Sequence, residues 1–500
     1  MNCAARIASS GLLASFLLST TALAEVSARD VWESWRGYLG GFGYDISASE
    51  QTVGNTLTVS DVTLGLPLPE DEGSVSVTMG DLKFVEIGDG TVAIVMADKM
   101  PMQINTRADD ETVDISLLFS HANLSTIVSG TPEEMTYAYN AAEIGVDLEK
   151  IVVNGAEIPD LVANAILAGI LGTSTMSVGE TVATTQKMSV DSLTYTFQGT
   201  DPAGSGEIDM QGSASGIEID ADAVIPLGDY ADDPAALFTA GFDIAGSYSL
   251  QASEFDLTFV DEGAPGSVSS TSGGGSVALQ MNDSVLAYGG GISDVQISAM
   301  GPDIPLPIDI SFGELAFGFE MPLMADEAPQ DFALNLTVAD LGVSEMIWGM
   351  FDPGQVLPQD PATLIVELMG KATVFTDIMT LDEDSDEIPG ELNALTLKDL
   401  QLRFAGASVT GKGDFVFDNS DMQSFDGLPR PEGALDLNIT GLNGLLDKLV
   451  QMGLVPEEQV MGARMMLSMF SVPGDGEDTL NSRIEVNEQG HVLANGQRLK

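Results

Sequence analysis

The chain has 500 residues, a formal net charge of −58 at pH 7 and a hydrophobic content of 44 %. Its 18 Lys and Arg stand against 76 Asp and Glu. This balance disfavours nucleic acid and anionic lipid head groups as partners, because both are bound chiefly through basic side chains. The acids are spread among apolar residues, so the composition indicates a globular protein with an acidic surface, unlike a disordered polyanion.

The first 24 residues have the pattern of an export signal. Arg6 precedes an apolar run at residues 11–18, and Ala22-Leu23-Ala24 is the small-residue pattern that signal peptidase cleaves. We therefore predict cleavage after Ala24 and a periplasmic mature protein. Cleavage removes Cys3, the one cysteine of the chain, so we expect no disulfide and no thiol chemistry. The apolar run is shorter than the roughly 20 residues that span a bilayer, so we do not expect an integral membrane protein.

A short aromatic helix is predicted directly after the signal. Ser27 begins a capping pattern, apolar residues follow at helical spacing, and Gly40-Gly41 ends the element. Trp32 and Trp35 lie three residues apart on this helix, where they are candidates to contact a hydrophobic ligand. A contact with the core or with a protein partner is the alternative interpretation.

Most of the remaining chain alternates polar and apolar residues with a period of two, which is typical of antiparallel strands with one solvated face. In residues 216–222 the carboxylates share one face and the apolar side chains share the other. Similar runs occupy residues 56–60, 74–79 and 91–95, and the pattern dominates from residue 188 to residue 319. Long strands joined by short loops predict an extended meander.

A weak internal repeat accompanies these strands: an acidic or polar residue, then Leu, a spacer and an aromatic residue. The Leu and the aromatic residue are two positions apart, so they share one sheet face and suit a core. The repeat occurs at Asp81-Leu82-Lys83-Phe84, Ser192-Leu193-Thr194-Tyr195, Asp256-Leu257-Thr258-Phe259 and Glu314-Leu315-Ala316-Phe317.

Helical patterns return in three places. We predict an apolar helix over residues 158–171, a short helix over 344–351, and a helical hairpin over 442–470 that is broken at 453–456. A final strand pair is predicted at 482–486 and 491–494. The glycine-rich run at 272–276 lacks the Lys and the Ser or Thr of a phosphate-binding loop and is interpreted as a flexible turn.

The residues that usually carry catalysis are scarce. His121 and His491 lie in opposite halves of the chain, with no second His or Cys nearby in the sequence to build a zinc site or a serine relay. The acidic run at 382–387 begins like a calcium loop, but Glu387 and Asn393 stand where such a loop has Gly and Glu. We therefore expect a non-enzymatic protein with no catalytic residue, no cofactor and no metal site.

Three methionines recur at helical spacing in the second helix of the predicted hairpin: Met461, Met465 and Met469. They form a flexible apolar stripe of the kind that cradles varied hydrophobic ligands. Together with Trp32 and Trp35, they are the candidate ligand-binding residues. A helix that packs on a sheet through this stripe is the alternative interpretation.

Two motifs lie close together in the second half of the chain: Trp348-Gly349-Met350-Phe351-Asp352-Pro353, then Leu357-Pro358-Gln359-Asp360-Pro361-Ala362-Thr363-Leu364. Together with residues 73–102 and 490–497, they resemble domain-of-unknown-function family 2125, exported proteins known chiefly from alphaproteobacteria. Gln359 stands where we expect the family to have Arg. The family has no assigned activity, so the resemblance implies export but no catalytic residues.

Residues 411–441, with amphipathic strands before a helical hairpin, also resemble the AsmA-like envelope proteins, whose curved sheets are associated with lipid handling. This likeness implies a lipid or other hydrophobic ligand held along a groove of the sheet. The alternative, favoured by the charge, is a structural or interaction protein of the cell envelope whose acidic surface meets a cationic partner.

The sequence thus predicts a mainly β protein: long twisted antiparallel sheets, arranged as a meander and able to form a groove, with a few covering α-helices. After the signal at 1–24 we expect an N-terminal β-rich region over 25–185. A β-meander over 186–330 and a C-terminal β region with the helical hairpin over 331–500 follow. A sheet face that is open to ligand and one that is filled by its own side chains need the same alternation, so both alternatives stay open.

Overall fold

The computed structural model describes residues 25–41, 43–67, 73–108, 111–200, 206–228, 230, 234–302, 304–380 and 390–500. The predicted signal at 1–24 and the acidic run at 382–387 lie outside these residues. Within the described ranges, every helix is too short or too polar to cross a bilayer.

Strands make up most of the described chain. The first thirteen are β1 (Asp45–Val53), β2 (Thr56–Pro67), β3 (Gly73–Met79), β4 (Leu82–Glu86), β5 (Val92–Met96), β6 (Lys99–Ala108), β7 (Glu111–Ala122), β8 (Ser125–Thr131), β9 (Glu134–Val153), β10 (Ala156–Glu157), β11 (Val162–Val178), β12 (Thr181–Thr200) and β13 (Glu207–Pro226). The alternating runs at 56–60, 74–79, 91–95 and 216–222 fall within these strands, as predicted.

The remaining strands continue the same pattern. They are β14 (Asp243–Leu250), β15 (Ala252–Asp261), β16 (Ala264–Ser272), β17 (Gly274–Asn282), β18 (Leu286–Gly301), β19 (Ile304–Met321), β20 (Gln330–Val343), β21 (Ala362–Val374), β22 (Gly390–Phe404), β23 (Ala407–Asp418), β24 (Arg430–Thr440), β25 (Val472–Pro473), β26 (Thr479–Val486), β27 (Val492–Ala494) and β28 (Gln497–Arg498). The pairing of β26 with β27 confirms the predicted final strand pair.

Helices connect or cover the strands at a few points. They are α1 (Ala28–Gly41), α2 (Pro234–Thr239), α3 (Glu345–Phe351), α4 (Leu442–Gln451) and α5 (Glu457–Phe470), with a 3-10 turn at Ile378–Thr380. The aromatic helix, the short helix and the broken helical hairpin are confirmed in α1, in α3, and in α4 with α5.

All described strands belong to one antiparallel sheet. Some positions across the sheet are occupied by two short strands end to end, such as β3 with β4 and β7 with β8. Counted by these positions, the strands from β1 to β24 follow one another across the sheet in chain order. Thus β14 and β15 both pair with β13, on either side of Gln251, and β16 and β17 both pair with β18. The prediction of a mainly antiparallel β fold with few helices is confirmed.

Two sequence predictions on secondary structure are wrong. Residues 158–171 do not form a helix: most of them belong to β11, which pairs along most of its length with β9 on one side and β12 on the other. A short apolar run fits a buried strand as well as a helix, and here the two neighbouring strands decide. The run at 272–276 is no flexible turn either, because it spans the junction of β16 and β17 within the sheet.

The N-terminal end of the sheet carries a closed core under α1. Trp32 and Val31 of the helix are buried against Phe84 and Leu57 of the sheet, each at most 2 % exposed. The Trp32 and Phe84 ring centroids are 6.0 Å apart, and Trp35 meets Phe84 edge-on at 5.6 Å. Leu82 and Phe84 both face this core, which is what the repeat at 81–84 predicts.

A line of unpaired positions crosses the sheet, and at three places on it a Gly meets an Asp. The pairing of β11 with β12 skips Gly169 and Asp191. Gly169 has a φ of +64°, and the Asp191 carboxylate occupies the space that a Cβ on Gly169 would need. Such one-residue irregularities shift the alternation, so Val190 and Leu193 both reach the apolar face. Gly and Asp also meet at Gly273 and Asp294 and at Gly313 and Asp340, but there the Asp has the positive φ.

The helical hairpin is fixed at the C-terminal end of the sheet. Val460 is the buried residue of α5, at 4 % exposure. The carbonyl oxygen of Phe470, at the end of α5, accepts hydrogen bonds from Ser482 Oγ at 2.6 Å and from Asn495 Nδ2 at 3.0 Å. These contacts anchor one face of α5 and leave its other face to solvent.

Candidate functional site

An apolar groove lies on one face of the sheet between β14 and β20. Residues directly opposite each other on antiparallel strands share a face, so the register defines rows of side chains. One row runs through Tyr248, Val277, Gly290, Phe317 and Leu336. The next row runs through Leu250, Gly275, Ile292, Leu315 and Val338.

Glycines form the floor of this groove. Gly290 stands between Val277 and Phe317 in the first row, and Gly275 stands between Leu250 and Ile292 in the second. Strands lie about 4.8 Å apart, so side chains on either side of a glycine strand are about 10 Å apart. Gly290 lies on β18 and Gly275 on β17, so the two gaps adjoin diagonally and together form a slot between the apolar side chains. The groove encloses ≈ 420 Å³, within the range of small-molecule sites.

The walls of the groove are open to solvent. Phe317 is 45 % exposed, Val277 41 %, Leu336 40 % and Tyr248 37 %. This contrasts with Phe84, which lies in the closed core at the other end of the sheet and is fully buried. The aromatic residue of the same sequence repeat is thus buried at 84 and open at 317.

Aromatic and aliphatic side chains extend the open surface beyond the groove. The Tyr288 ring lies 5.5 Å from the Phe317 ring and 6.2 Å from the Phe319 ring, measured between centroids. Leu279 and Leu334 flank them and are 38 % and 48 % exposed. Contiguous exposed apolar surface of this kind is uncommon unless it meets a ligand or a partner.

A larger depression of ≈ 840 Å³ lies at one end of the strands, but its lining is mixed. Apolar residues such as Phe259 and Met300 share it with the carboxylates of Asp160, Glu207 and Asp209. Because these acids would have to be desolvated by an apolar ligand, the smaller groove suits such a ligand better.

The structure separates the predicted ligand-binding residues. Trp32 lies in the core under α1, with its Nε1 donating to Glu50 Oε1 at 2.8 Å, and Trp35 packs on the same core. Neither reaches the groove, because β4, the strand against which they pack, is several strands away from β14. We therefore leave the two tryptophans out of the candidate site.

The methionine stripe faces solvent. Met461, Met465 and Met469 are 63 %, 69 % and 51 % exposed, while α5 turns Val460 to the protein. The stripe is therefore not the surface through which α5 packs on the sheet. It is a second open apolar surface, separated from the groove by the strands β21 to β24.

The tryptophan motif at 348–353 serves the fold around α3. Asp352 is 1 % exposed, and its Oδ2 accepts the backbone N–H of Leu357 at 2.7 Å. The Trp348 ring lies 6.2 Å from the ring of Phe404 on β22. Both contacts fix the connection from β20 to β21. In the described part of the chain, no three side chains of His, Cys, Asp and Glu come together as a metal site would require.

The sequence predicts a ligand groove along the sheet, but it does not predict the position of this groove or the residues that line it. Its signals are Gly289-Gly290-Gly291 in β18 and Gly273-Gly274-Gly275 at the start of β17, each within an otherwise alternating apolar run. Glycine inside a strand pattern can mark a close approach of another molecule or a bulge. The groove becomes visible only when the register places Gly275 opposite Ile292 and Gly290 opposite Val277.

The second half of the chain matches a known family. Residues 249–495 match the family described as "Uncharacterized protein conserved in bacteria (DUF2125)". The matched part includes most of the groove and the motif at 348–364, and over these residues the predicted resemblance is confirmed. The similar segment at 73–102 lies outside the matched residues.

Two solved structures show a distant likeness. One is the ferric preacinetobactin receptor BauA from Acinetobacter baumannii: 9 % identity, 91 % of this chain and 78 % of that chain covered, TM-score 0.18. The other is the ferric citrate transporter FecA in its unliganded form: 7 % identity, 91 % and 76 % coverage, TM-score 0.14. TM-scores this low give no information on the function of this chain. No curated protein sequence matches the chain.

Proposed function

We propose that the protein is an exported, non-enzymatic protein of the periplasm that binds a lipid or another molecule with an alkyl chain in the groove between β14 and β20. The supporting observation is the pair of rows in which Gly290 and Gly275 leave a slot between open apolar walls. Each buried methylene contributes about 0.8 kcal/mol, so a chain along this slot gains several kcal/mol. Part of that gain is lost to the cost of association.

The first experiment is mass spectrometry of organic extracts from the protein, purified from its periplasm without detergent. We expect a stoichiometric lipid or other apolar molecule. Leu336→Asp places a charge on the groove wall and should remove it. The matched control is Asn335→Asp, which adds the same charge one residue away on the opposite face and should leave the ligand in place.

A variant with Asp at Met461, Met465 and Met469 tests the second apolar surface separately. Loss of the ligand in this variant but not in Leu336→Asp would move the site from the groove to α5. An empty extract from well-folded protein, with no uptake of added alkyl probes, would overturn the proposal.

The alternative function is an interaction protein of the cell envelope whose acidic surface meets a cationic partner. One observation favours it: residues 188–370 contain no Lys, Arg or His. This alternative would be supported if the protein, with no ligand in its groove, captured one basic envelope protein and released it at high salt.

The periplasmic location rests on the sequence at 1–24. The N-terminal mass of the protein from a periplasmic fraction tests it, and we expect the chain to begin at Glu25. A chain that begins well before Glu25, or that stays in the cytoplasmic fraction, would contradict this part of the proposal.

A further inference from the structure

The strands that carry the groove form a long segment without any cation. Between Lys187 and Lys371 the sequence contains no Lys, Arg or His, and it contains 29 Asp and Glu. All groove residues, from Tyr248 to Val338, fall inside this segment. Groups that could neutralise an anionic ligand are therefore absent from the strands that hold it.

The two basic residues that bound this segment are directed away from the groove. Lys187 neighbours Met188, which lies in the row of Tyr248. Lys371 is three positions from Leu368, which lies opposite Leu334 on the groove face, so both cations lie on the other face. Each is already matched with a carboxylate: Lys187 with Asp220 at 2.7 Å, and Lys371 with Asp331 at 2.6 Å.

The groove itself offers almost no polar contact. Among the described residues that line it, none is charged, and the side-chain hydroxyl in its rows is that of Tyr248, because Ser276 and Thr337 alternate with Val277 and Leu336 and face the other side of the sheet. The polar end of a bound molecule must therefore lie at the rim, in the potential of a chain segment whose charged side chains are all carboxylates. Such a potential amounts to several times the thermal energy near a surface of one sign.

We infer that the groove selects molecules whose alkyl chain ends in a head group without negative charge. This inference rests on the proposed function and narrows its ligand class: neutral and cationic amphiphiles bind, and anionic ones are rejected. Apolar burial supplies the affinity, and the carboxylates supply the discrimination by repelling the wrong ligand.

The test compares three probes with the same dodecyl chain: the neutral maltoside, the cationic trimethylammonium and the anionic sulfate. Binding to the full mature protein is measured by calorimetry below the critical micelle concentration, at about 10 mM and about 1 M salt. At low salt we expect the maltoside and the ammonium to bind at least about tenfold more tightly than the sulfate, a gap equivalent to about 1.4 kcal/mol. High salt should narrow this gap, because it screens the carboxylates.

A matched pair of variants assigns the binding to the groove. Val277→Asn makes one wall polar without adding charge and should weaken all binding. Ala278→Asn makes the same change one residue further, on the opposite face, and should leave binding unchanged. Circular dichroism of both variants verifies that they are folded.

The outcomes separate the inference from the proposed function. Sulfate that binds as tightly as maltoside at low salt, with the Val277→Asn effect retained, overturns the head-group inference and leaves the groove intact as a site. Failure of the maltoside to bind overturns both. Binding of the ammonium probe alone, unchanged in Val277→Asn, also overturns both, since the acidic surface then explains it.

Discussion

Phe317 of β19 lies directly opposite Leu336 of β20, and both side chains remain open to solvent on the same face of the sheet. Cross-strand pairs of this kind normally contribute to a core. Here they form a wall, because Gly290 on the other side of Phe317 provides no side chain to cover it. The pair therefore contributes little to folding and is available for binding.

Groove and core residues should differ in their effect on stability. Phe317→Ser removes an exposed ring and should change the free energy of unfolding by about 0.5 kcal/mol or less. Phe84→Ala empties the closed core and should cost about 3 to 5 kcal/mol. Denaturant unfolding of both variants measures the difference, and a Phe317→Ser cost close to that of Phe84→Ala would show that the groove is a folded core.

The hydrogen bond from Trp32 to Glu50 should hold α1 on the sheet. Glu50 Oε1 accepts from Trp32 Nε1 at 2.8 Å, and Arg29 and Arg36 approach the same carboxylate at 3.3 and 3.4 Å. Glu50→Ala leaves a buried indole N–H without an acceptor and should cost about 1 to 3 kcal/mol. Glu50→Gln keeps an acceptor and should cost less. Equal stability of the two variants, measured by thermal unfolding, would speak against this role.

Gly169 should tolerate no side chain. Gly169→Ala combines a positive φ with a contact on Asp191, so we expect a loss of more than about 1 kcal/mol in the free energy of unfolding. Gly54→Ala is the matched control, because Gly54 has nearly the same φ, +65°, with open space around it. The difference between the two losses in the free energy of unfolding measures the contact with Asp191. Equal losses would show that the cost at Gly169 comes from backbone strain alone.

The pKa of the Asp418 carboxyl is lowered from its ordinary value of 3.8, first by the Ser420 hydroxyl, which donates to it at 2.6 Å, and then by Arg430. A lowered pKa in the folded state stabilises the fold above the unfolded value, and this contribution is lost as the pH falls through the folded value. Ser420→Ala should therefore raise the pKa of Asp418. It should also reduce stability at neutral pH more than below pH 3.8.

Carboxyl NMR titration of Asp418 measures this shift. Ser424→Ala is the control: the Ser424 hydroxyl donates to Asp421 at 2.7 Å and is the first cause of the lowered pKa of that residue. The Ser424→Ala variant should raise the pKa of Asp421 and leave the pKa of Asp418 unchanged. If the pKa of Asp418 stays the same in the Ser420→Ala variant, Ser420 is not the first cause of its lowered value.

A cation added at the edge of the groove should change its selectivity. Leu334 is exposed on the groove face. At low salt, Leu334→Lys should raise the affinity for dodecyl sulfate severalfold and lower the affinity for the ammonium probe. Asn335→Lys adds the same charge on the opposite face and should have the smaller effect. If both variants act equally, the selectivity comes from net charge and not from the groove rim.

The sequence predicts much of this fold because the alternation along each strand is local. Residues 216–222 reveal which side chains face water, and the spacing of Leu82 and Phe84 reveals their common face. The prediction of a helix over 158–171 fails because hydrogen bonds to β9 and β12, which are distant in sequence, decide the structure. The methionine stripe at 461–469 is visible in the sequence, but its exposure depends on Val460 being the residue that packs.

The position of the groove could not be predicted for a similar reason. Its rows join residues from Tyr248 to Val338, and a one-residue change of register would move them to the other face. The paired irregularity at Asp294 and Gly313 shifts the alternation once in each of the adjacent strands β18 and β19. Strict period-two reasoning across these positions assigns half of each strand to the wrong face.

The chain-order meander has a consequence for how the protein acquires its structure. Each new strand finds its partner in the segment made just before it, so the sheet can grow from its N-terminal end while later strands do not yet exist. Topologies rich in such local pairings fold faster than those that wait for distant segments. The buried core of α1 with β2 and β4 lies at the end of the sheet where this growth starts. The strands of the groove are added afterwards, and they can pair without a layer that covers their apolar face.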